Sequence, residues 1–174
     1  MTALNSLKKD LTVYHCTTKE SCDNILKNGI IYNYNLNSSQ DQDFGYGFYV
    51  HTELKRAQNY CNRMCKKIGE KPWIIMEFKV NPEIFNLKIL ELNYYNDEFA
   101  EFIFDNRTKN IKGNYQHEYD IVSGCMSDSN PLEVIIGYDI GEYTKQESLE
   151  LLKKSTSSKQ VCCCTEKACS MLSY

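Results

Sequence analysis

Two tyrosines and a pair of glycines are the residues of this chain whose types and spacing best suit chemistry. Tyr49 ends the segment Phe44-Gly45-Tyr46-Gly47-Phe48-Tyr49, and Tyr60 follows eleven positions later. Glycines allow backbone conformations closed to other residues and let the chain pass close to a bound group. Tyrosine faces bury a flat ring and attract a cationic one. The spacing therefore predicts the floor and wall of a site for a planar aromatic ligand.

Two further polar residues each lie in a segment whose pattern predicts a strand. His15 lies in Thr-Val-Tyr-His near the start of the chain, and Gln160 opens a similar segment near its end. An imidazole can both donate to and accept from a ribose hydroxyl. A lone histidine in an apolar strand is more often bonded to a buried backbone group, and Tyr49 and Tyr60 could be core aromatics among 13 tyrosines. Taken singly, these residues leave both interpretations open.

The hydrophobic periodicity indicates the elements that must hold these residues. The predicted strands cover residues 11–17, 48–51, 73–80, 87–92, 119–124, 134–138 and 160–165. The predicted helices cover residues 19–27, 53–68, 97–107, 144–154 and 166–172, and residues 33–43 form a polar surface loop placed to act as a lid. Short strands with few helices favour an α+β domain with two small sheets around a cleft. We expect a single domain over residues 1–174.

Bulk composition excludes several classes of protein. The net charge is −3, so a nucleic-acid partner would need a local basic patch. Arg63, Lys66, Lys67 and Lys71 form a modest basic face, most simply a solvated one. The first ten residues contain no apolar stretch of signal-peptide length, and the sequence has no run of about 18 apolar residues. We therefore expect a cytoplasmic protein without a membrane partner.

The nine cysteines are expected to be reduced. Their number is odd, and Cys162, Cys163 and Cys164 are consecutive in a predicted strand, where neighbours point to opposite faces. Without an export signal, buried thiols are the favoured interpretation over disulfides. Cys61 and Cys65 lie one helical turn apart, but no second pair has ligand spacing, so no metal site is expected.

The combined motif resembles the ADP-ribosyltransferases. The stretch Ala57-Gln58-Asn59-Tyr60 after Gly45-Tyr46-Gly47-Phe48-Tyr49 is similar to the catalytic domains of poly(ADP-ribose) polymerases, including the spacing of the two tyrosines. Over most of the chain the layout resembles a sparsely characterised bacterial family grouped with these enzymes. The residues that carry this wider resemblance are Tyr14-His15, Asp43-Phe44-Gly45, Asn106-Arg107, Tyr119-Asp120-Ile121-Val122, Gly124, Gln160 and Thr165-Glu166-Lys167-Ala168.

The resemblance implies a split two-sheet fold with peripheral helices around a cleft for NAD, the co-substrate. It implies that His15 bonds the adenosine ribose, Tyr49 lies against nicotinamide and Tyr60 stacks on its other side. Cys16 stands where these enzymes usually have a glycine whose backbone grips the carboxamide. The implied NAD-binding residues are His15, Cys16, Phe44, Gly47, Tyr49 and Tyr60. Asn106 and Arg107 either cap a helix or bind phosphate or substrate.

Gln160 is the important departure from the family pattern. The family usually has a glutamate there, which bonds the ribose 2′-hydroxyl and stabilises the cationic transition state. Glutamine keeps the hydrogen bond and loses the charge, so chain elongation is not expected. The implied catalytic residues are His15, Tyr49 and Gln160. Glu118 and Asp120 could supply a carboxylate from the neighbouring strand, and Glu118 is the reserve candidate.

The expected function is mono-ADP-ribosylation. One ADP-ribose would pass from NAD to a macromolecular acceptor, protein or nucleic acid, as in the toxins and effectors that compact transferases often are. An inhibitor or antitoxin protein is a further candidate partner. The alternatives are a non-catalytic module that binds NAD or another nucleotide, and an NAD glycohydrolase.

Overall fold

The computed structural model describes residues 2–33, 42–68, 72–112, 116–127, 131–153 and 159–174. Over these residues the fold is mixed α+β with two sheets, as the short strands predicted. Its strands are β1 (Thr12–Thr18), β2 (Phe48–Val50), β3 (Trp73–Val80), β4 (Ile89–Leu92), β5 (Ile121–Cys125), β6 (Lys159–Cys163) and β7 (Leu172–Ser173). Its helices are α1 (Ala3–Asp10), α2 (Lys19–Asn28), α3 (Leu54–Ile68), α4 (Asp97–Lys112), α5 (Pro131–Asp139), α6 (Lys145–Leu152) and α7 (Glu166–Cys169).

The two sheets meet at a single point. The smaller sheet has the order β1-β3-β7 and the larger one β2-β6-β5-β4, in which β4 and β5 are parallel and the other pairs antiparallel. Tyr14 of β1 and His51, directly after β2, form an isolated antiparallel bridge. Each donates its N–H to the carbonyl of the other at 2.8 Å. Beyond this bridge the ladder does not continue, so the sheets separate there.

The larger sheet is buried on both faces. Ile121, Val161 and Cys163 point into a core shared with α1 and the smaller sheet. Val122, Cys162 and Cys164 point the other way, into a core shared with α4 and α6. Because successive strand residues alternate between faces, continuous apolar runs in β5 and β6 fit this middle position. The alternation predicted for the three consecutive cysteines is confirmed.

Local signals fixed several helix boundaries. Helix α2 ends at Gly29, whose φ of 78° is in the left-handed region and whose N–H bonds the Ile25 carbonyl at 2.9 Å. Helix α6 begins with a capping box between Thr144 and Glu147, as the sequence predicted. The sequence patterns did not predict the N-terminal helix α1, the short 3₁₀ helix Pro82–Asn86 or the short strand β7.

The strand predicted over residues 134–138 is wrong, because this segment belongs to helix α5. Its β-branched residues suggested a strand, but Pro131 occupies the first helical position, where its fixed φ is favourable. Ile135 is buried, and the Tyr138 ring stacks on that of Phe104 in α4, with centroids 4.5 Å apart. Packing against α4 thus outweighs strand propensity. In the loop predicted over 33–43, residues 34–41 lie outside the described residues, as does Lys71.

Candidate functional site

His15 lies at the split between the two sheets. Its Nδ1 is 2.7 Å from the carbonyl oxygen of Tyr49 in β2. Because a carbonyl only accepts, Nδ1 carries the proton and the neutral ring keeps an acceptor lone pair on Nε2. Burial lowers the pKa of His15 to about 4, and the bond to Tyr49 offsets this only in part. At neutral pH the ring can therefore accept a hydrogen bond from a hydroxyl group.

Backbone groups of β1 continue along the same edge. In a strand the N–H and C=O of one residue point to one edge, and those of the next residue point to the opposite edge. Those of Tyr14 point to His51, so those of Cys16, two residues on, face the same edge beyond the bridge. Cys16 lines the cavity that opens there. One amide donor and one acceptor are thus directed at this cavity from a single residue.

Tyr49 holds the glycine segment in place. Its hydroxyl donates to the Gly45 carbonyl at 2.8 Å and accepts from the Phe44 N–H at 3.1 Å. Burial, with a smaller effect of Cys162, Cys164 and Asp43, raises the pKa of this phenol well above its usual value, so it stays a neutral donor. At Gly47 a Cβ would lie 2.3 Å from Cys162 Sγ. The close approach of the glycine segment to β6 therefore requires glycine.

Helix α3 carries Tyr60 next to β1. Cys61 forms a disulfide with Cys16 of β1, with Cα atoms 5.8 Å apart, while the other seven cysteines are free. The expectation of reduced thiols is wrong for this pair, because β1 and α3 pack side by side and bring the two residues within bonding reach. The disulfide fixes the helix that presents Tyr60 against the strand that presents His15.

The register of β2 and β6 places Gln160 near Tyr49. Tyr49 is directly opposite Cys162, and Gln160 is two residues before Cys162, on the same face. Diagonal neighbours of this kind are about 7–8 Å apart. Gln160 is buried and pairs through its backbone with Gly124 of β5.

One cavity of about 1090 Å³, here called the larger cavity, collects most of the predicted residues. Six of the seven line it, namely His15, Cys16, Gly47, Tyr49, Tyr60 and Gln160. The side chain of Phe44 does not, because it is fully buried in the core around α4, where its carbonyl lies 3.0 Å from His117 Nε2. The reserve residue Glu118 also lies elsewhere, on the surface, 2.5 Å from Lys88 Nζ.

Sequence reasoning missed a buried ion pair in the wall of this cavity. Arg107 Nη2 donates to Asp43 Oδ1 at 2.7 Å, and Ser127 donates its N–H to Oδ2 at 2.8 Å and its hydroxyl to Oδ1 at 2.5 Å. Arg107 is therefore neither a helix cap nor, as placed, an open phosphate ligand. The missed signal was periodicity, since Phe99, Ile103 and Arg107 follow at four-residue intervals on the buried face of α4.

Two residues that line the cavity each have a buried polar atom without a partner among the described residues. These atoms are Nδ1 of His51 and the indole Nε1 of Trp73. Buried polar atoms in folded proteins are nearly always bonded to protein or ordered water. Both atoms are almost inaccessible, so a ligand in the cavity would reach them only after the side chains turn.

Two negative findings concern the part of the chain that the structure describes. No three His, Cys, Asp or Glu side chains there form a group that could hold a metal ion. No helix there combines the length and apolar character needed to cross a bilayer.

The chain belongs to the family described as protein of unknown function DUF3990, whose model matches residues 11–174. The match begins just before β1 and includes every residue that lines the larger cavity. No curated protein and no solved structure matches the chain.

Proposed function

We propose that this protein is an NAD-dependent mono-ADP-ribosyltransferase that transfers one ADP-ribose to a macromolecular acceptor. The observation that carries the proposal is the shared cavity lined by His15, Cys16, Tyr49, Tyr60 and Gln160. Ligand cavities commonly measure about 300–1,000 Å³, so this one suits a ligand as large as a dinucleotide.

The chemistry of the lining residues fits the parts of NAD. The Nε2 lone pair of His15 can accept from a ribose hydroxyl. The Cys16 backbone offers the donor and acceptor that a carboxamide needs, whatever its side chain. Tyr49 and Tyr60 offer ring faces to a cationic pyridine.

Gln160 would be the residue that contacts the ribose of NAD during the reaction. Its amide can hydrogen-bond a 2′-hydroxyl close to Tyr49 but cannot neutralise positive charge that develops as nicotinamide leaves. Asp43 is the one carboxylate that lines the cavity among the described residues, and both of its oxygens are bonded to Arg107 and Ser127. A slow single transfer is therefore expected, not chain elongation.

Nicotinamide release from labelled NAD, followed by chromatography with a cell lysate present, tests the proposal. Label on protein or nucleic acid supports transfer, whereas free ADP-ribose alone would indicate hydrolysis. Gln160→Glu should raise the rate roughly tenfold to a hundredfold by supplying the missing charge. Gln146→Glu, on exposed α6, makes the same chemical change outside the cavity and should have no effect. An unchanged rate in Gln160→Glu would place residue 160 away from the reacting ribose.

Tyr60→Ala tests donor binding separately. Loss of ring stacking should weaken NAD binding by about tenfold, measured by isothermal titration calorimetry. Tyr94→Ala is the matched control, because Tyr94 is 73% exposed and lies outside the cavity. Equal affinities in the two variants would remove Tyr60 from the donor site.

A non-catalytic NAD-binding module is the second candidate. The absence of an uncommitted carboxylate among the described cavity residues favours it. Saturable NAD binding without nicotinamide release, in both wild type and Gln160→Glu, would select this candidate over the transferase.

A further inference from the structure

Helix α3 concentrates positive charge in a chain that is negative overall. Its 15 residues include Lys55, Arg56, Arg63, Lys66 and Lys67 and no Asp or Glu, whereas the whole chain has a net charge of −3. Arg63, Lys66 and Lys67 are exposed. The sequence suggested a solvated basic face, but the structure places part of this charge at the cavity.

One face of α3 borders two cavities. Arg56, Tyr60, Arg63 and Lys67 follow at helical spacing over about 16 Å, at 1.5 Å rise per residue. Lys67 lines the larger cavity, Arg56 lines a smaller one of about 140 Å³, and Tyr60 and Arg63 line both. We call these four residues the α3 face. It leads from open surface to the predicted nicotinamide position.

The smaller cavity is cationic. Besides Arg56 and Arg63 it is lined by Lys159, at the start of β6 next to Gln160. Glu53 lies 3.1 Å from Arg56, so that cation is partly balanced. The Arg63 guanidinium lies over the Tyr60 ring at 5.2 Å, an arrangement that holds its position. Arg63, Lys67 and Lys159 are the cations best placed to meet an anionic ligand at the cavity mouth.

We infer that the α3 face is the acceptor site and that the acceptor is a single-stranded nucleic acid. This inference rests on the proposed transferase function. Cations along one helix face beside an aromatic ring match a chain of phosphates and bases, which proteins bind through basic grooves and stacking. A single strand can bring a base or a terminal phosphate into the cavity without first unpairing a duplex.

A protein acceptor fits this face less well. Protein interfaces usually centre on a desolvated patch rich in aromatic and apolar residues. On α3 the exposed residues are mostly charged or amide side chains, with Leu54, 44% exposed, as its large exposed apolar residue.

In the transfer, a nitrogen or oxygen of the nucleic acid bonds to ribose C1′ as the bond from C1′ to nicotinamide breaks. Nicotinamide leaves neutral, and the acceptor's proton passes to water.

Binding of a fluorescein-labelled 20-nucleotide single strand, as DNA and as RNA, tests the site without NAD. Fluorescence anisotropy should show salt-dependent binding by wild type. Arg63→Gln combined with Lys67→Gln should weaken it at least tenfold and flatten the slope of log K against log salt by roughly 1.4, about 0.7 for each phosphate contact. Lys9→Gln combined with Lys167→Gln removes the same charge from exposed positions on α1 and α7 and should bind as wild type.

The second measurement is transfer of label from NAD to the same oligonucleotide. Label on the oligonucleotide, reduced in the α3 variant and kept in the control, supports the inference. Label on lysate proteins but not on the oligonucleotide, or equal binding by the two double variants, would overturn it and leave the proposed transferase standing. Failure of the transferase proposal would give a different result: wild type would release no nicotinamide with any acceptor.

Discussion

The larger cavity has two walls that are stabilised in different ways. The histidine wall consists of His15, Cys16 and Tyr60, on β1 and α3, and a disulfide and a backbone bridge hold it to its neighbours. The ion-pair wall consists of Asp43, Arg107 and Ser127, and its members bond one another across three distant segments.

This difference distinguishes residues that are available to bind a ligand from residues that stabilise the cavity wall. In the ion-pair wall both Asp43 oxygens and the Ser127 hydroxyl are already engaged. In the histidine wall, His15 uses one ring nitrogen and the Cys16 backbone faces the cavity. We infer that ligand contacts come mainly from the histidine wall, while the ion-pair wall sets the shape of the cavity.

The largest expected effect is on stability, from Asp43→Ala. Removing the carboxylate leaves the Arg107 guanidinium buried without its counter-charge, and breaking a buried pair in this way costs about 3–5 kcal/mol. The free energy of unfolding from urea denaturation measures this loss. Glu118→Ala is the control, because the Lys88–Glu118 pair is exposed and worth at most about 1 kcal/mol. Similar losses in both variants would refute a supporting role for the ion-pair wall.

The next effect concerns the disulfide in the histidine wall. Replacing Cys16 and Cys61 by serine should lower the free energy of unfolding by about 2–4 kcal/mol, since the bond closes a loop over a separation of 45 residues. Cys65→Ser, one helical turn further, should change little because Cys65 is free. Thiol titration of unreduced, denatured protein should find seven thiols. A count of nine would show that the bond is not formed.

The histidine wall and the adjoining glycine segment were largely predictable from the sequence because their signals are local. Gly47, Tyr49 and Tyr60 fall within one strand-to-helix segment, so their relative placement follows from strand and helix geometry. His15 required only the resemblance to place it opposite that segment. Their assignment to NAD remains a prediction.

The ion-pair wall was not predictable in the same way. Arg107 and Ser127 lie 64 and 84 positions from Asp43, and no local pattern encodes such contacts. The same holds for the Cys16–Cys61 bond, since compositional reasoning about redox state says nothing of which strand and helix lie side by side. Phe44 was misjudged because its neighbours Gly45 and Gly47 belong to the cavity wall while its own ring faces the α4 core.

The smallest expected effect is a pH dependence of stability that arises from His15 of the histidine wall and from the neighbouring His51. Burial lowers the pKa of both His15 and His51 to about 4, and for His51 the charges of His15, Arg56 and Arg63 add to the burial. In the unfolded chain a histidine takes up its proton near pH 6.5. Between pH 6.5 and about 4 the unfolded state therefore binds more protons, and stability falls as the pH is lowered.

From pH 7 to pH 5 each of these two imidazoles should lower the free energy of unfolding by about 1–2 kcal/mol. His117, whose pKa is raised, acts in the opposite direction, so the total change does not identify the source. The comparison of wild type with His51→Gln does identify the source, because every other titratable group is common to both proteins. Urea denaturation at the two pH values should show a smaller loss in the variant. If the two proteins lose the same stability, His51 is not held neutral in the folded state.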